Sequence, residues 1–211
     1  MKPRVDYSLY LCTDRELMSS RTIEESVEQA LLGGCTVVQL REKHCSSREF
    51  LALALRVKAL TRSFRVPLII NDRVDIALAS DADGVHVGQD DLPAREVRRL
   101  LGPDKLLGVS AHNLPEARQA QLDGADYRGV GAMYATATKQ DASPTTLAEL
   151  RHIREAVDLP IVVIGGVNRS TVGDFKGTGI NGLAVVSAVV AQPDPAGAAR
   201  ELLRLFRETQ A

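Results

Sequence analysis

The sequence predicts an α/β protein, a single (β/α)8 TIM barrel with its active site at the C-terminal ends of the strands. Three observations predict it. Eight short apolar, β-branched runs recur along the 211 residues. A helical pattern follows each run. The length gives about 26 residues to each of eight units, enough for a strand, a helix and two short turns.

The first run, Tyr7 to Thr13, leads to an amphipathic stretch from Thr22 to Leu32. That stretch opens on Thr22-Ile-Glu-Glu25, close to a capping box, and stops at Gly33-Gly34. The second run, Thr36 to Leu40, precedes Ser47 to Thr61, where Phe50, Leu51, Leu53, Leu55, Val57 and Leu60 form a helical stripe. Val66 to Ile70 is followed by a helix of barely two turns, Val74 to Ala79. Gly84 to Val87 precedes Pro93 to Leu101, which starts on Pro and ends at Gly102. Leu106 to Val109 precedes Leu114 to Leu122, and Tyr127 to Val130 precedes Thr146 to Val157. Ile161 to Ile164 precedes a weak helix, Ser170 to Lys176, interrupted by Gly173; Gly182 to Val186 precedes Asp194 to Thr209. Runs this short with little alternation suit parallel strands covered on both faces. An open doubly wound sheet is the rival. It calls for a Gly-rich turn after the first strand, where Asp14-Arg15-Glu16-Leu17 stands instead.

No linker or low-complexity stretch divides the chain, so residues 1–211 are expected to form one barrel domain, with rim loops alone building the site. Lys and Arg number 26 against 27 Asp and Glu, a formal charge of −1. That balance argues against nucleic acid as partner. No apolar run approaches the ~18 residues of a membrane span, and the N-terminus carries no signal-peptide core. Cys12, Cys35 and Cys45 form no C-x-x-C pair. They fit buried thiols in a reducing cytosol, so the protein is expected to be cytoplasmic. Self-association as a homo-oligomer stays open.

The polar residues that follow the strands define the chemistry. Gln39, Arg41 and Lys43 alternate along an extended chain, so their side chains point one way. An Arg fork with a Lys point charge suits a polyphosphate; a solvated strand end with Glu42 in a salt bridge is the plainer alternative. Asn71-Asp72 and Gln89-Asp90-Asp91 end the third and fourth strands. Two carboxylates meeting at a barrel mouth suggest Mg2+, which takes one or two carboxylates and fills its shell with water and phosphate oxygens. Helix capping by Asp91 is the alternative, and spacing alone leaves Asp90 open as a ligand. Ser110 and His112 follow the fifth strand. Gly165-Gly166 and Val186-Ser187 stand where such barrels bind phosphate, although a tight turn explains the glycines equally simply. The long connection from Gly131 to Thr146 carries Thr136, Thr138, Lys139, Ser143, Thr145 and Thr146, suited to phosphate binding and closure or to a plain surface loop. His86, inside a strand, reads as a satisfied core residue. No G-x-S-x-G elbow or P-loop appears, so a protein nucleophile is not indicated.

Nine strings, in order along nearly the whole chain, resemble the thiamine-phosphate synthase (thiamine-phosphate pyrophosphorylase) family. They are Tyr10-Leu-Cys-Thr-Asp14, Gln39-Leu-Arg-Glu-Lys43, Ile70-Asn-Asp-Arg-Val-Asp75, the run from Asp83 to Pro93, Gly108-Val-Ser-Ala-His112, Gly124-Ala-Asp-Tyr127, Thr136-Ala-Thr-Lys139, Ile164-Gly-Gly-Val167 and Val185-Val-Ser-Ala188. The resemblance implies that a hydroxymethylpyrimidine pyrophosphate alkylates the ring nitrogen of a hydroxyethylthiazole phosphate, giving thiamine phosphate and pyrophosphate. It implies that Gln39, Arg41, Lys43, Asn71, Ser110 and Lys139 hold the pyrimidine substrate. Of these, Arg41, Lys43, Ser110 and Lys139 would be catalytic. It implies Mg2+ on Asp72 and Asp91, and the thiazole phosphate on Thr136, Thr138, Gly166, Val186 and Ser187. Ala132, Ala137, Thr145 and Thr146 depart from the family's usual Pro, Pro, small apolar residue and Gly; Arg128 stands where the family is usually apolar. A related thiazole tautomerase typically lacks the string matched here by Gln89-Asp90-Asp91. A non-catalytic phosphate-binding barrel has no need of paired carboxylates beside three cations.

Overall fold

The computed structural model describes residues 2, 4–135 and 144–210. Eight parallel strands close in sequence order: β1 (Leu9–Cys12), β2 (Val37–Leu40), β3 (Leu68–Asn71), β4 (Gly84–Val87), β5 (Leu106–Ala111), β6 (Tyr127–Val130), β7 (Ile161–Val163) and β8 (Gly182–Val185), which pairs back onto β1. Helices α1 (Ile23–Leu32), α2 (Ser47–Ser63), α3 (Val74–Ala79), α4 (Ala94–Leu101), α5 (Leu114–Leu122) and α6 (Leu147–Ala156) follow the first six strands in turn. α7 (Ser187–Val190) and α8 (Pro195–Gln210) follow β8. The (β/α)8 expectation holds, and the open-sheet rival is excluded by the closed pairing.

Side-chain caps start several of the helices. Thr22 caps α1 by accepting from the Glu25 amide, and Ser46 with Glu49 forms a reciprocal capping box on α2. Asn113 and Thr146 cap α5 and α6 in the same way. Two expectations shift. After β7 the chain makes only a 3-10 turn, Val172–Phe175, since Gly173 and the Gly177 and Gly179 turns leave too few residues to propagate an α-helix. The four-residue α7 was not foreseen. On α2, Leu55 is exposed, and the buried stripe runs instead through Phe50, Leu53, Ala54, Val57 and Thr61.

Alternate residues of each strand serve two cores. Leu9, Leu11, Val38, Leu40, Ile70 and Val85 face the helices, whereas Tyr10, Cys12, Val37, Ile69, Tyr127 and Val162 pack inside the barrel. The interior is therefore filled at its lower end and becomes polar toward the strand C-termini. At the opposite rim Arg98 joins α4 to the strands below it. It donates to the carbonyls of Gly102, Lys105 and Gly124 and to the Asp126 carboxylate.

Candidate active site

A cavity of about 350 Å3 opens at the C-terminal ends of the strands. Gln39, Arg41, Asn71, Ser110, Gly166, Val186 and Ser187 all line it, as do His86, His112 and Asn168. Lys43, Asp72 and Asp91 are not in this lining. They form an adjoining cluster on the loops after β2, β3 and β4. Lys43 Nζ donates to Asp72 Oδ2 at 2.5 Å. Asp91 Oδ2 accepts from the Gly88 amide at 2.7 Å.

The backbone at Asp72 explains how its carboxylate reaches the rim. Its φ is 62°, left-handed, and its amide donates to the His86 carbonyl of the next strand at 2.8 Å. Asp tolerates this conformation better than most non-glycine residues. β3 thus turns sharply where it leaves the barrel. Asp91 is held above the ordinary carboxylate range, first by burial and then by the nearby Asp72 carboxylate; the Gly88 amide and Lys43 act in the opposite direction. Two carboxylates gathered on neighbouring loops, one raising the other, are a donor set suited to a hard cation. Among the described residues no group of three or more His, Cys, Asp or Glu could hold a metal. A cation there would therefore complete its shell with water or ligand oxygens.

Both cations carry carboxylate partners. Arg41 Nη1 donates to Asp14 Oδ2 at 3.1 Å, while Asp14 Oδ1 accepts from the amides of Glu16 and Leu17. Asp14 is buried and orients the guanidinium. Glu42 accepts from Arg15 Nε and Nη2 rather than from Arg41, so the alternative of a Glu42 salt bridge is real but lies off the site. Of the two cations, Lys43 contacts a carboxylate of the Asp72–Asp91 cluster, whereas Arg41 pairs with Asp14 instead. Cys12 also lines the cavity, and burial pushes its thiol up to about 12, so it stays protonated.

The glycines after β7 allow a close loop contact. Gly165 and Gly166 have φ of 91° and 67°, and a Cβ on either would meet Ala132 or Tyr134 at 2.5–2.6 Å. The Tyr134 amide donates to the Gly165 carbonyl, and its hydroxyl donates to Asp174. Asn168 and Thr171 bond the Gly166 carbonyl from the other side. Thr136, Thr138 and Lys139, with Ala137 and Ser143, lie outside the described residues. The flanking departures have local roles. Thr145 bonds the Ala132 and His112 carbonyls through its amide and hydroxyl, and Thr146 caps α6.

A sequence model described as thiamine monophosphate synthase matches residues 9–189. The chain belongs to the thiamine monophosphate synthase family. It is 61% identical over 206 residues to the thiamine-phosphate synthase of Clostridium beijerinckii, covering 98% of this chain and 99% of that protein. The Clostridium botulinum thiamine-phosphate synthase is 60% identical, with 98% and 97% covered. The thiamine phosphate pyrophosphorylase structure from Pyrococcus furiosus superposes with a TM-score of 0.90 at 38% identity, over 98% of both chains. No described helix is long and apolar enough to cross a membrane.

Sequence reasoning missed several residues that the structure places at this rim. Asp14 appeared only as part of a string, and Gln89, which donates to the Ser110 carbonyl at 2.6 Å, only as a neighbour of Asp91. His86, read as a satisfied core residue, is indeed buried with both ring nitrogens hydrogen-bonded; what that reading missed is that it also lines the cavity. Strand parity was the available signal: His86 shares the inward phase of Gly84, as Gln39 shares that of Val37.

Proposed function

We propose that the chain is a thiamine-phosphate synthase, an alkyl-transferring enzyme of thiamine biosynthesis. It joins 4-amino-2-methyl-5-hydroxymethylpyrimidine pyrophosphate to 4-methyl-5-(2-phosphoethyl)thiazole, or to the carboxylated thiazole with loss of CO2. The C–O bond to pyrophosphate breaks with its electron pair on the leaving group, and the thiazole nitrogen supplies the pair for the new C–N bond. The observation that carries this reading is the Lys43–Asp72 ion pair gathered with Asp91 on neighbouring rim loops, beside a cavity lined by Arg41. Near full-length identity to named synthases supports it.

In this reading Asp72 and Asp91 hold Mg2+. When bound, the ion neutralises charge gathering on the departing pyrophosphate. Arg41, kept in place by Asp14, forks onto the pyrophosphate. With Asp72 and Asp91 holding the cation, Lys43 would turn its charge to the phosphates. Lys139 adds a third positive charge. Gln39, Asn71 and Ser110 hold the pyrimidine ring, whose amino group stabilises the benzylic-type cation formed on dissociative loss of pyrophosphate. Thr136, Thr138, Gly166, Val186 and Ser187 hold the thiazole phosphate. Preplaced charge of this kind lowers a barrier by roughly 2.7–4 kcal/mol per contact. Mixing purified protein, Mg2+ and the two substrates tests it: thiamine phosphate and pyrophosphate should appear in equal amounts. No product with either thiazole form would refute the synthase reading.

A further inference from the structure

A continuous hydrogen-bonded chain crosses the barrel interior beneath the cavity. Gln39 Nε2 donates to Tyr10 Oη at 2.9 Å, and Tyr10 Oη lies 2.7 Å from Tyr127 Oη. Tyr127 Oη is 3.1 Å from His86 Nδ1, and His86 Nε2 is 3.0 Å from Ser110 Oγ. β1, β2, β4, β5 and β6 each contribute one member. Glycine makes the central contact sterically accessible: a Cβ on Gly108 would lie 2.3 Å from Tyr127 Oη and 2.4 Å from His86 Nδ1.

Each hydroxyl has one proton, so the first donor sets the direction of all the others. With Gln39 donating, Tyr10 passes its proton toward Tyr127, and Tyr127 passes its own to His86 Nδ1. His86 is then the Nε2–H tautomer and donates to Ser110. The Ser110 proton is released toward the cavity, and Gln39 offers its carbonyl oxygen there. The reversed chain inverts both ends: Gln39 presents N–H, and Ser110 commits its proton to His86. Burial raises both tyrosines well above the ordinary phenol range, so each keeps the proton the chain requires.

We propose that Tyr10, Tyr127 and His86 are positioning residues forming a one-way relay that sets opposite hydrogen-bonding polarity at Gln39 and Ser110, one acceptor and one donor. That pair matches an aromatic ring bearing an exocyclic amino group next to a ring nitrogen, so the role of the relay in turnover rests on the synthase reading above. The relay couples two substrate contacts on opposite sides of the barrel.

The test has two arms, one of which needs no catalysis. 15N NMR of the imidazole in wild-type protein at fixed neutral pH should show His86 with a pyridine-type Nδ1 and a pyrrole-type Nε2. In Tyr10→Phe the Tyr127 and Ser110 hydroxyls that bond the His86 ring nitrogens remain, but the directional lock is lost. The signals should then move to a tautomer mixture, whereas a purely structural role for Tyr10 predicts no change. In the second arm Tyr127→Phe and Tyr10→Phe should lower kcat by about tenfold or more, with a smaller change in KM for the thiazole than for the pyrimidine. An Nδ1–H tautomer in the wild type, or an unchanged tautomer and kcat in Tyr10→Phe, would overturn the relay. If Tyr127→Phe fails to fold, Tyr10→Phe decides alone. Loss of the synthase reading itself would show separately, as absence of product from wild-type protein.

Discussion

Arg128 sits on the outer face of β6, fully buried, with Nε and Nη1 unpartnered among the described residues; Nη2 donates to Gln121. Burial, reinforced by the Arg154 charge against that of Asp158, pulls its guanidinium down to about 10. A cation whose folded pKa is depressed destabilises the fold wherever it is charged. The cost is therefore full at neutral pH and is relieved only as pH rises through about 10. Arg128→Met should stabilise the protein by about 1–3 kcal/mol, several degrees in Tm, without altering turnover, as calorimetry and an activity assay would show. Asp91 has the other sign of problem at the opposite rim. Its raised carboxyl contributes stability that is present below the unfolded pKa and lost as pH rises through the folded value. At neutral pH without metal, Asp91→Asn should raise Tm by about 1–4 °C, since the like-charge term is about 0.5–1 kcal/mol at a partly solvated rim. The same variant should lose the Tm increase that Mg2+ with pyrophosphate gives the wild type. An equal ligand-induced shift in both proteins would remove Asp91 from the metal site.

Two glycines separate packing from local propensity. A Cβ at Gly182, where β8 begins, would lie 1.7 Å from the Tyr7 carbonyl oxygen, whereas one at Gly173 in the 3-10 turn meets nothing within 4 Å. Gly182→Ala should lower stability by about 1–3 kcal/mol, and Gly173→Ala should be neutral or raise it by up to about 1 kcal/mol, as urea unfolding would measure. The same contrast shows what was legible in the sequence. Strands β4 and β6 are read with their observed bounds, because Gly84 to Val87 and Tyr127 to Val130 are bracketed by clear turn residues. The helix expected over Ser170 to Lys176 reduces to one 3-10 turn, since amphipathic spacing there is set by Val172 and Phe175 alone. Ser110 falls inside β5 rather than after it, because the strand runs on to Ala111 as hydrogen-bonded pairing continues with β6. Pairing between strands is a tertiary fact that no local window contains.

The rim and the lumen of the barrel are read from sequence with different success. Gln39, Arg41, Asn71, Ser110, Gly166, Val186 and Ser187 converge on one cavity because each lies in the last residues of a strand or just beyond it, which strand order alone implies. The partners of Arg41 and Lys43, Asp14 and Asp72, depend on side-chain geometry between neighbouring loops. The Gln39–Ser110 chain depends on inward parity across five strands. A formal charge of −1 thus conceals paired charges gathered at one mouth. The synthase account as a whole stands on that pairing. The most direct measurement is the initial rate of thiamine phosphate formation by wild type, Asp72→Ala and Asp91→Ala over a range of Mg2+, with circular dichroism to confirm folding. The account predicts a wild-type rate that EDTA stops and Mg2+ restores, and folded variants slower by about 100-fold or more at every Mg2+ concentration. A wild-type rate indifferent to EDTA, or either variant turning over at the wild-type rate, would contradict it.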